Sequence, residues 1–352
     1  MASKFIDLAQ QPLSSQRMME LMEQMIQGSL STEEMVEVLR TLAARGETAE
    51  EIAAAVAVLR RHAVPLPLKN TAGLCDTCGT GGDRVARDEG GSAPAGEPTE
   101  PAATINVSTL GALVAASCGV RISKHGNRAA SSRCGSADVL EALGVNLDAT
   151  PEQVAACIDG VGIGFCFAPR FHPAMKAVAP ARKQLGIRTI FNLIGPLANP
   201  APLTYQLVGV ADSKLLTPLA DALIRLGIRR GLVVHGLDGL DEVTTTAETD
   251  ALEILDGKAG PLRLRPEDCG LKRAILDELR GGDATENARL ATAVLRGAAS
   301  AQRDLVALNA GCAIYIAEQA PSLLDGVRRA LEALKAGAPF ELLQWLVKHS
   351  HA

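Results

Sequence analysis

Two consecutive units of one kind set what this 352-residue chain can fold into: an apolar strand, a loop dense in glycine and polar groups, then a helix. In the first, residues 73–78 read as a strand running into Gly79-Thr80-Gly81-Gly82-Asp83. The helical stripe Leu110, Leu113 and Val114 follows after an intervening segment. In the second, Gly119 closes that helix and residues 120–123 read as a strand. A polar stretch from Lys124 to Ser136 then leads into a helical pattern over 137–143. This order, repeated, belongs to α/β folds whose loops gather at strand ends and build phosphate sites.

The stretch Lys124-His125-Gly126-Asn127-Arg128-Ala129-Ala130-Ser131-Ser132-Arg133-Cys134-Gly135-Ser136 holds three cations, an imidazole, an amide, three hydroxyls and two glycines. Cations, hydroxyls and backbone N–H groups together suit phosphate oxygens. A polar surface loop would have the same composition. Gly79–Asp83 is neither a P-loop nor a G-x-G-x-x-G fingerprint, and a plain glycine turn fits it equally well. Asn106, Ser108 and Thr109 stand where the next helix begins. Ser108 or Thr109 is expected to cap it, and a helix start lined with hydroxyls is also an anion site. Asp241-Glu242 follows a strand and a turn. Adjacent carboxylates there suit a divalent cation shared with phosphate oxygens, or are simple surface charge.

The formal net charge of −5, with no basic helix, gives no reason to expect a nucleic-acid partner. No apolar run approaches the roughly 18 residues that span a bilayer, and Met-Ala-Ser-Lys-Phe-Ile-Asp lacks the apolar centre of a secretion signal. A soluble, cytoplasmic protein is expected, with its eight scattered cysteines as reduced thiols. Cys75-x-x-Cys78 has no second pair at zinc spacing. On a strand, positions i and i+3 face opposite ways, which opposes shared ligation.

In chain order, Met18, Leu21, Met22, Met25 and Ile26 keep a helical stripe that packs a core or a partner. Ser31-x-x-Glu34 and Thr48-x-x-Glu51 are capping boxes opening two more helices, and Pro65-Leu-Pro67 marks a linker. Residues 84–103 are rich in Gly, Pro, Glu and Ala, and too poor in large apolar side chains to offset their ordering entropy. A mobile surface loop is expected there. Thr150-x-x-Gln153, with Pro151 at the first helical position, opens another helix, and 162–167 reads as a buried strand. Pro169–Pro173 opens a helix carrying Met175, Val178 and Arg182. Further strands are expected at 205–211 and 231–235 around a helix at 215–226, and only helices from 283 onward.

Taken in order, Gly79-Thr-Gly-Gly-Asp83, Asn106-Val-Ser-Thr109, Lys124-His-Gly-Asn-Arg128, Ser131-Ser132, Gly135–Gly144, Phe171-His-Pro173, Phe191-Asn-Leu-Ile-Gly-Pro-Leu-Ala-Asn-Pro200 and Asp241-Glu242 resemble the anthranilate phosphoribosyltransferases over nearly the whole chain. The resemblance implies an α/β enzyme: a small all-α N-terminal domain plus a larger domain with a central mixed, mostly parallel sheet flanked by helices. Residues 1–70 would form the helical, dimerising domain, joined by the helix near 172–186, and 71–352 the domain binding PRPP (5-phosphoribosyl 1-pyrophosphate) and Mg2+. The reaction implied moves the phosphoribosyl group of PRPP to the amine of anthranilate in tryptophan biosynthesis. Two Mg2+ ions and a homodimer go with it.

By position, Gly79, Gly82, Asp83, Thr104, Asn106, Val107, Ser108, Thr109, Lys124, His125, Gly126, Asn127, Arg128, Ala129, Ala130, Ser131, Ser132 and Ser136 match the PRPP site. Gly79, His125, Asn127 and Arg182 match the anthranilate site, and Ser108, Asp241 and Glu242 the metal contacts. An arylamine is already nucleophilic, so no single catalytic acid or base is assigned. Two features depart from the pattern: the long segment 84–103, and Met175 where some members place an aromatic. A pyrimidine nucleoside phosphorylase-like enzyme and a catalytically silent ligand-binding paralogue are the alternatives.

Overall fold

The computed structural model describes residues 9–82, 84–85, 100–101, 104–129 and 133–352. Three full helices lead the described residues: α1 (Ser15–Ile26), α2 (Thr32–Arg45) and α3 (Ala49–Arg61). Both capping boxes form as read: Ser31 and Thr48 each accept the N–H of the glutamate three residues on, and that glutamate's side chain returns to the cap. Each such cap stabilises its helix by about 1 kcal/mol. The stripe Met18, Leu21, Met22, Met25 and Ile26 is buried as core.

The α/β part follows as β1 (Leu74–Gly79), the two-residue strands β2 (Arg84–Val85) and β3 (Glu100–Pro101), α4 (Val107–Ser117), β4 (Arg121–Gly126), α5 (Ser136–Ala142), α6 (Pro151–Val161) and β5 (Ile163–Phe167). Next come α7 (Ala168–Phe171), a 3-10 turn (Pro173–Ala177), α8 (Ala179–Leu185), α9 (Ile190–Ile194), β6 (Tyr205–Gly209), α10 (Leu216–Arg225) and β7 (Arg230–Gly236). The chain ends with β8 (Thr249–Leu255), β9 (Lys258–Leu264), α11 (Ala284–Leu295), α12 (Ala301–Ile316), α13 (Leu323–Ala336) and α14 (Ala338–Ser350). No described helix is long and apolar enough to cross a membrane.

The main sheet has seven strands in the order β5-β4-β1-β6-β7-β8-β9. The first five are parallel, and β8 and β9 add an antiparallel edge. This is the mixed, mostly parallel sheet expected. Alternate residues of each strand enter different apolar clusters, as the two-residue side-chain period requires. Cys75, Leu207, Leu232 and Val234 join one, packed under α4, α5 and α12 to α14; Leu74, Cys78, Val208 and Val233 join the other, packed under α1 to α3 and α8 to α10. Cys75 and Cys78 thus lie on opposite faces as free, buried thiols, and no cluster of three metal-ligating side chains exists among the described residues.

Four expectations are corrected. β4 runs on to Gly126, so Lys124, His125 and Gly126 end a strand instead of starting a loop. The helix expected from Pro169 is three short pieces, because Pro173 and Pro180 each remove a helical N–H donor. β6 stops at Gly209, short of 211. The hairpin β8–β9 was not anticipated; it turns on Asp256-Gly257, with φ 46° and 79°, the left-handed pair a two-residue hairpin demands. Of the loop expected over 84–103, residues 84–85 and 100–101 pair antiparallel, and 86–99 and 102–103 lie outside the described residues.

Candidate active site

The carboxyl ends of the parallel strands bring the quoted stretches together. β1 ends at Gly79, where the glycine turn begins. Within it the Gly81 N–H donates to Asp241 Oδ2 at 2.7 Å. Asp241 packs so tightly onto the strand ends that a Cβ at Gly79 would lie 2.2 Å from its Oδ2, and one at Gly209 1.6 Å from its carbonyl oxygen. Only glycine fits at either position. Glu242 follows it, facing the start of α4 closely enough that the Ser108 N–H pulls on its charge. Loss of hydration pushes the Glu242 carboxyl well above the usual range; Asp241 adds to the push, and Lys124 and the Ser108 N–H oppose it. Two neighbouring carboxylates short of water are a charge arrangement that a divalent cation would relieve.

The loop carrying this pair is itself held. Asn309 of α12 accepts the Val243 N–H at 3.0 Å and donates to the Val243 carbonyl at 2.8 Å. Asp238 accepts the hydroxyls of Thr244 and Thr246 and the Leu240 N–H.

The capping expected of Ser108 or Thr109 does not occur. α4 starts at Val107 with Asn106 at the cap, making no side-chain cap bond; Ser108 and Thr109 lie inside the first turn. The Asn106 amide instead donates to the Cys134 carbonyl at 3.0 Å and accepts from Asn287 at 2.9 Å. It ties the end of the polar stretch to α11. Thr104 is bridged to Arg280 nearby.

Lys124 and His125 are buried at the end of β4. The Lys124 ammonium donates to the His125 carbonyl at 3.0 Å. The His125 ring meets that of His172 edge-on, centroids 5.2 Å apart. Burial holds His125 well below its ordinary value, with His172 and Lys124 adding to the effect, and brings His172 down to about 4. Both rings are neutral at pH 7. Past the strand, Asn127 Oδ1 accepts the Arg128 N–H, and Asp138 accepts the N–H groups of Ala129 and Gly135, pinching the loop shut. The Arg128 guanidinium is engaged by Asp138 and Glu141 of α5, so here it braces the loop. Ser136 donates to the Asn127 carbonyl at 3.2 Å. Arg182, on α8, stacks over Phe191 at 5.5 Å. Asp83, Ala130, Ser131 and Ser132 lie outside the described residues.

Residues 99–340 match the glycosyl transferase family a/b domain, and residues 6–63 its helical bundle domain. The chain is 46% identical to the anthranilate phosphoribosyltransferase of Rubrobacter xylanophilus, over 97% of this chain and 95% of that one. It belongs to the anthranilate phosphoribosyltransferase family. The family's enzyme from Persephonella marina is 43% identical over 96% of this chain and 95% of its own. The crystal structure of anthranilate phosphoribosyltransferase from Thermus thermophilus superposes with a TM-score of 0.89 at 45% identity, covering 100% and 99% of the two chains. The Saccharomyces cerevisiae anthranilate phosphoribosyltransferase in complex with PRPP and Mg gives 0.84 at 26%, covering 96% and 94%.

Sequence reading passed over three residues that organise this site. Asp76 is fully buried in β1. The β1–β4 ladder stops at Cys75↔Ile122, and beyond it Asp76 Oδ1 takes the His125 N–H at 3.2 Å. Its other oxygen takes the Asn199 amide at 2.9 Å, and Asn199 also donates to the Ser123 carbonyl at 2.7 Å. Burial raises the Asp76 carboxyl to about 6 against the pull of Lys124 and these donors. Arg60 of α3 donates through Nε and Nη2 to the Leu197 carbonyl, at 3.1 and 2.8 Å. Arg188, just before α9, reaches the glycine turn. A charged residue inside the apolar segment Leu74-Cys75-Asp76-Thr77-Cys78 was a readable sign; Arg60 and Arg188 bond distant main-chain carbonyls and left none.

Proposed function

We propose that this chain transfers the phosphoribosyl group of PRPP to the amine of anthranilate, releasing pyrophosphate, as a step of tryptophan biosynthesis. The observation that carries the reading is the meeting of three separate stretches: the glycine turn bonded to Asp241, Glu242 near enough to the start of α4 to feel the Ser108 N–H, and Lys124 close enough to act on the Glu242 charge. Breaking a ribosyl–pyrophosphate bond builds negative charge on the leaving group and positive charge on the sugar. Lys124 and the Gly82 N–H of the glycine turn would receive the departing diphosphate. Asp241 and Glu242, with the Ser108 hydroxyl, would hold Mg2+, which we take as two ions. Bound Mg2+ supplies charge stabilisation to the diphosphate oxygens.

On the acceptor side, Arg182 offers a fork for the anthranilate carboxylate. His125, neutral because it is buried, presents no competing charge near the amine. The PRPP residues assigned by position, Asp83, Ala130, Ser131 and Ser132 among them, complete the reading. So do a homodimer formed through residues 1–70 and the 172–186 segment, with 71–352 as the substrate domain, and a cytoplasmic location.

PRPP-dependent loss of anthranilate fluorescence in the presence of Mg2+ tests the reaction. Phosphate-dependent release of a nucleobase instead would favour the phosphorylase alternative, and binding without turnover the silent paralogue. Arg182→Ala is expected to raise the anthranilate KM roughly 10- to 100-fold, the worth of a lost charge-assisted pair, with the PRPP KM little changed. Equal loss for both substrates, measured by steady-state kinetics, would remove Arg182 from the acceptor site.

A further inference from the structure

The glycine turn is gripped from two sides. On one, the Gly81 N–H donates to Asp241 Oδ2 at 2.7 Å. On the other, Arg188 Nη1 donates to the Gly81 carbonyl at 2.8 Å and Nη2 to the Thr80 carbonyl at 3.3 Å. In a trans peptide the C=O and N–H point in opposite directions. Two carbonyls turned toward one guanidinium therefore turn the N–H groups of Gly81 and Gly82 away from it. The first of these ends on Asp241. The Gly82 N–H meets no acceptor among the described residues. Gly82 itself sits at φ 85°, where an added Cβ would lie 2.3 Å from Arg188 Nη1. The guanidinium thus lies directly against the turn, at a backbone conformation that glycine adopts without strain.

We propose that Arg188 is a positioning residue for the diphosphate of the donor substrate. Its planar fork fixes two consecutive peptide planes so that the Gly82 N–H and the Asp241 carboxylate face the same space. The inference rests on the reading that the glycine turn and Asp241 receive diphosphate. A fork suits the task because two carbonyls must be held in one plane, and a lysine ammonium is a point donor. Arg188 lies six residues beyond Arg182 on the segment joining α8 to α9. One side chain thus joins the acceptor-side segment to the donor-side turn.

Calorimetric titration of the full chain with Mg-pyrophosphate, beside steady-state kinetics, tests this. Arg188 is exposed, so Arg188→Ala is expected to fold, and its thermal midpoint is read in parallel. Pyrophosphate affinity and the PRPP KM are expected to worsen together, about 10- to 100-fold for two lost charge-assisted bonds, with the anthranilate KM within twofold. Arg188→Lys should recover part of the loss. Full recovery would mean that charge alone acts, and would overturn the fork. Unchanged pyrophosphate affinity in Arg188→Ala, or an equal loss for anthranilate, would overturn the assignment. Asp241→Ala separates the two levels. If it loses pyrophosphate binding while Arg188→Ala keeps it, only the role of Arg188 fails. If Asp241→Ala binds as the parent does, the diphosphate reading of the turn fails with it.

Discussion

Replacing Asp241 by Asn is expected to lower Mg2+-dependent turnover by about 100- to 1,000-fold with the fold intact, the loss usual for one preorganised electrostatic contact. An amide oxygen can still accept the Gly81 N–H, so the 2.7 Å bond that shapes the turn has a replacement. The volume is conserved, which matters because the Asp241 main chain lies where a Gly209 side chain would be. The charge is what disappears. Glu242, already pushed well above its ordinary range with Asp241 as one cause, loses its like-charged neighbour and becomes easier to ionise. The pair that would hold a divalent cation becomes a single carboxylate. Activity titrated against Mg2+ should therefore need higher concentrations and stay below the parent's plateau. A titration curve that overlays the parent's would end the metal assignment.

Removing Asp76 should cost stability instead. Asp76→Ala leaves the His125 N–H without its acceptor and the Asn199 amide with only the Ser123 carbonyl, and leaves Lys124 and Arg60 without the carboxylate that faces both. The loss should be about 3–5 kcal/mol, as for other buried charges stripped of a partner, enough to remove much of a typical domain's stability. Asp76→Asn is the finer probe, through pH. The Asp76 carboxyl is held at about 6, above its ordinary 3.8. The unfolded chain therefore releases this proton first, so the group favours the fold fully below pH 3.8 and loses that contribution, about 3 kcal/mol, as pH rises through 6. His172, held down to about 4 from 6.5, acts in the opposite sense. Its contribution is present above pH 6.5 and is lost, by a similar amount, as pH falls through 4. Over pH 4 to 6 these two contributions oppose each other. Asp76→Asn removes one arm, so denaturant unfolding should show a steeper acid loss. Parallel curves for parent and variant across that range would refute the opposition.

The parts of the fold that were legible had local causes. A stripe such as Met18 to Ile26 reports a buried helix face wherever that face lands, and Ser31-x-x-Glu34 closes on itself. The strands around the glycine turn were legible as short apolar runs, and the opposed faces of Cys75 and Cys78 followed from the strand period alone. The hairpin β8–β9 was missed although Asp256-Gly257 is a strong turn signal. Its strands carry Asp250 and Glu253 among the apolar positions, which blurs the alternation; Glu253 finds Arg230 and Tyr315 only in the folded state. Lys124 and His125 looked like loop residues because their compensation, through Asp76 and Asn199, comes from 49 and 123 positions apart within that network. Arg188 binds carbonyls 107 and 108 residues away. Main-chain acceptors exist at every position, so no residue type announces such a partner.

The apolar cluster under α1 to α3 has a consequence for synthesis on the ribosome. These helices pack on one another, and also on the 3-10 turn at 173–177, on α8, on α9 and on α10. α3 therefore cannot finish its packing until residue 225 has been made, some 160 positions after it has left the peptidyl-transferase centre. At ordinary elongation rates that is a wait of roughly 10–30 s. Meanwhile the faces of α2 and α3 that end against α8, α9 and α10 remain uncovered. Until those partners arrive, the segment presents apolar surface of the kind that drives aggregation of incompletely packed chains.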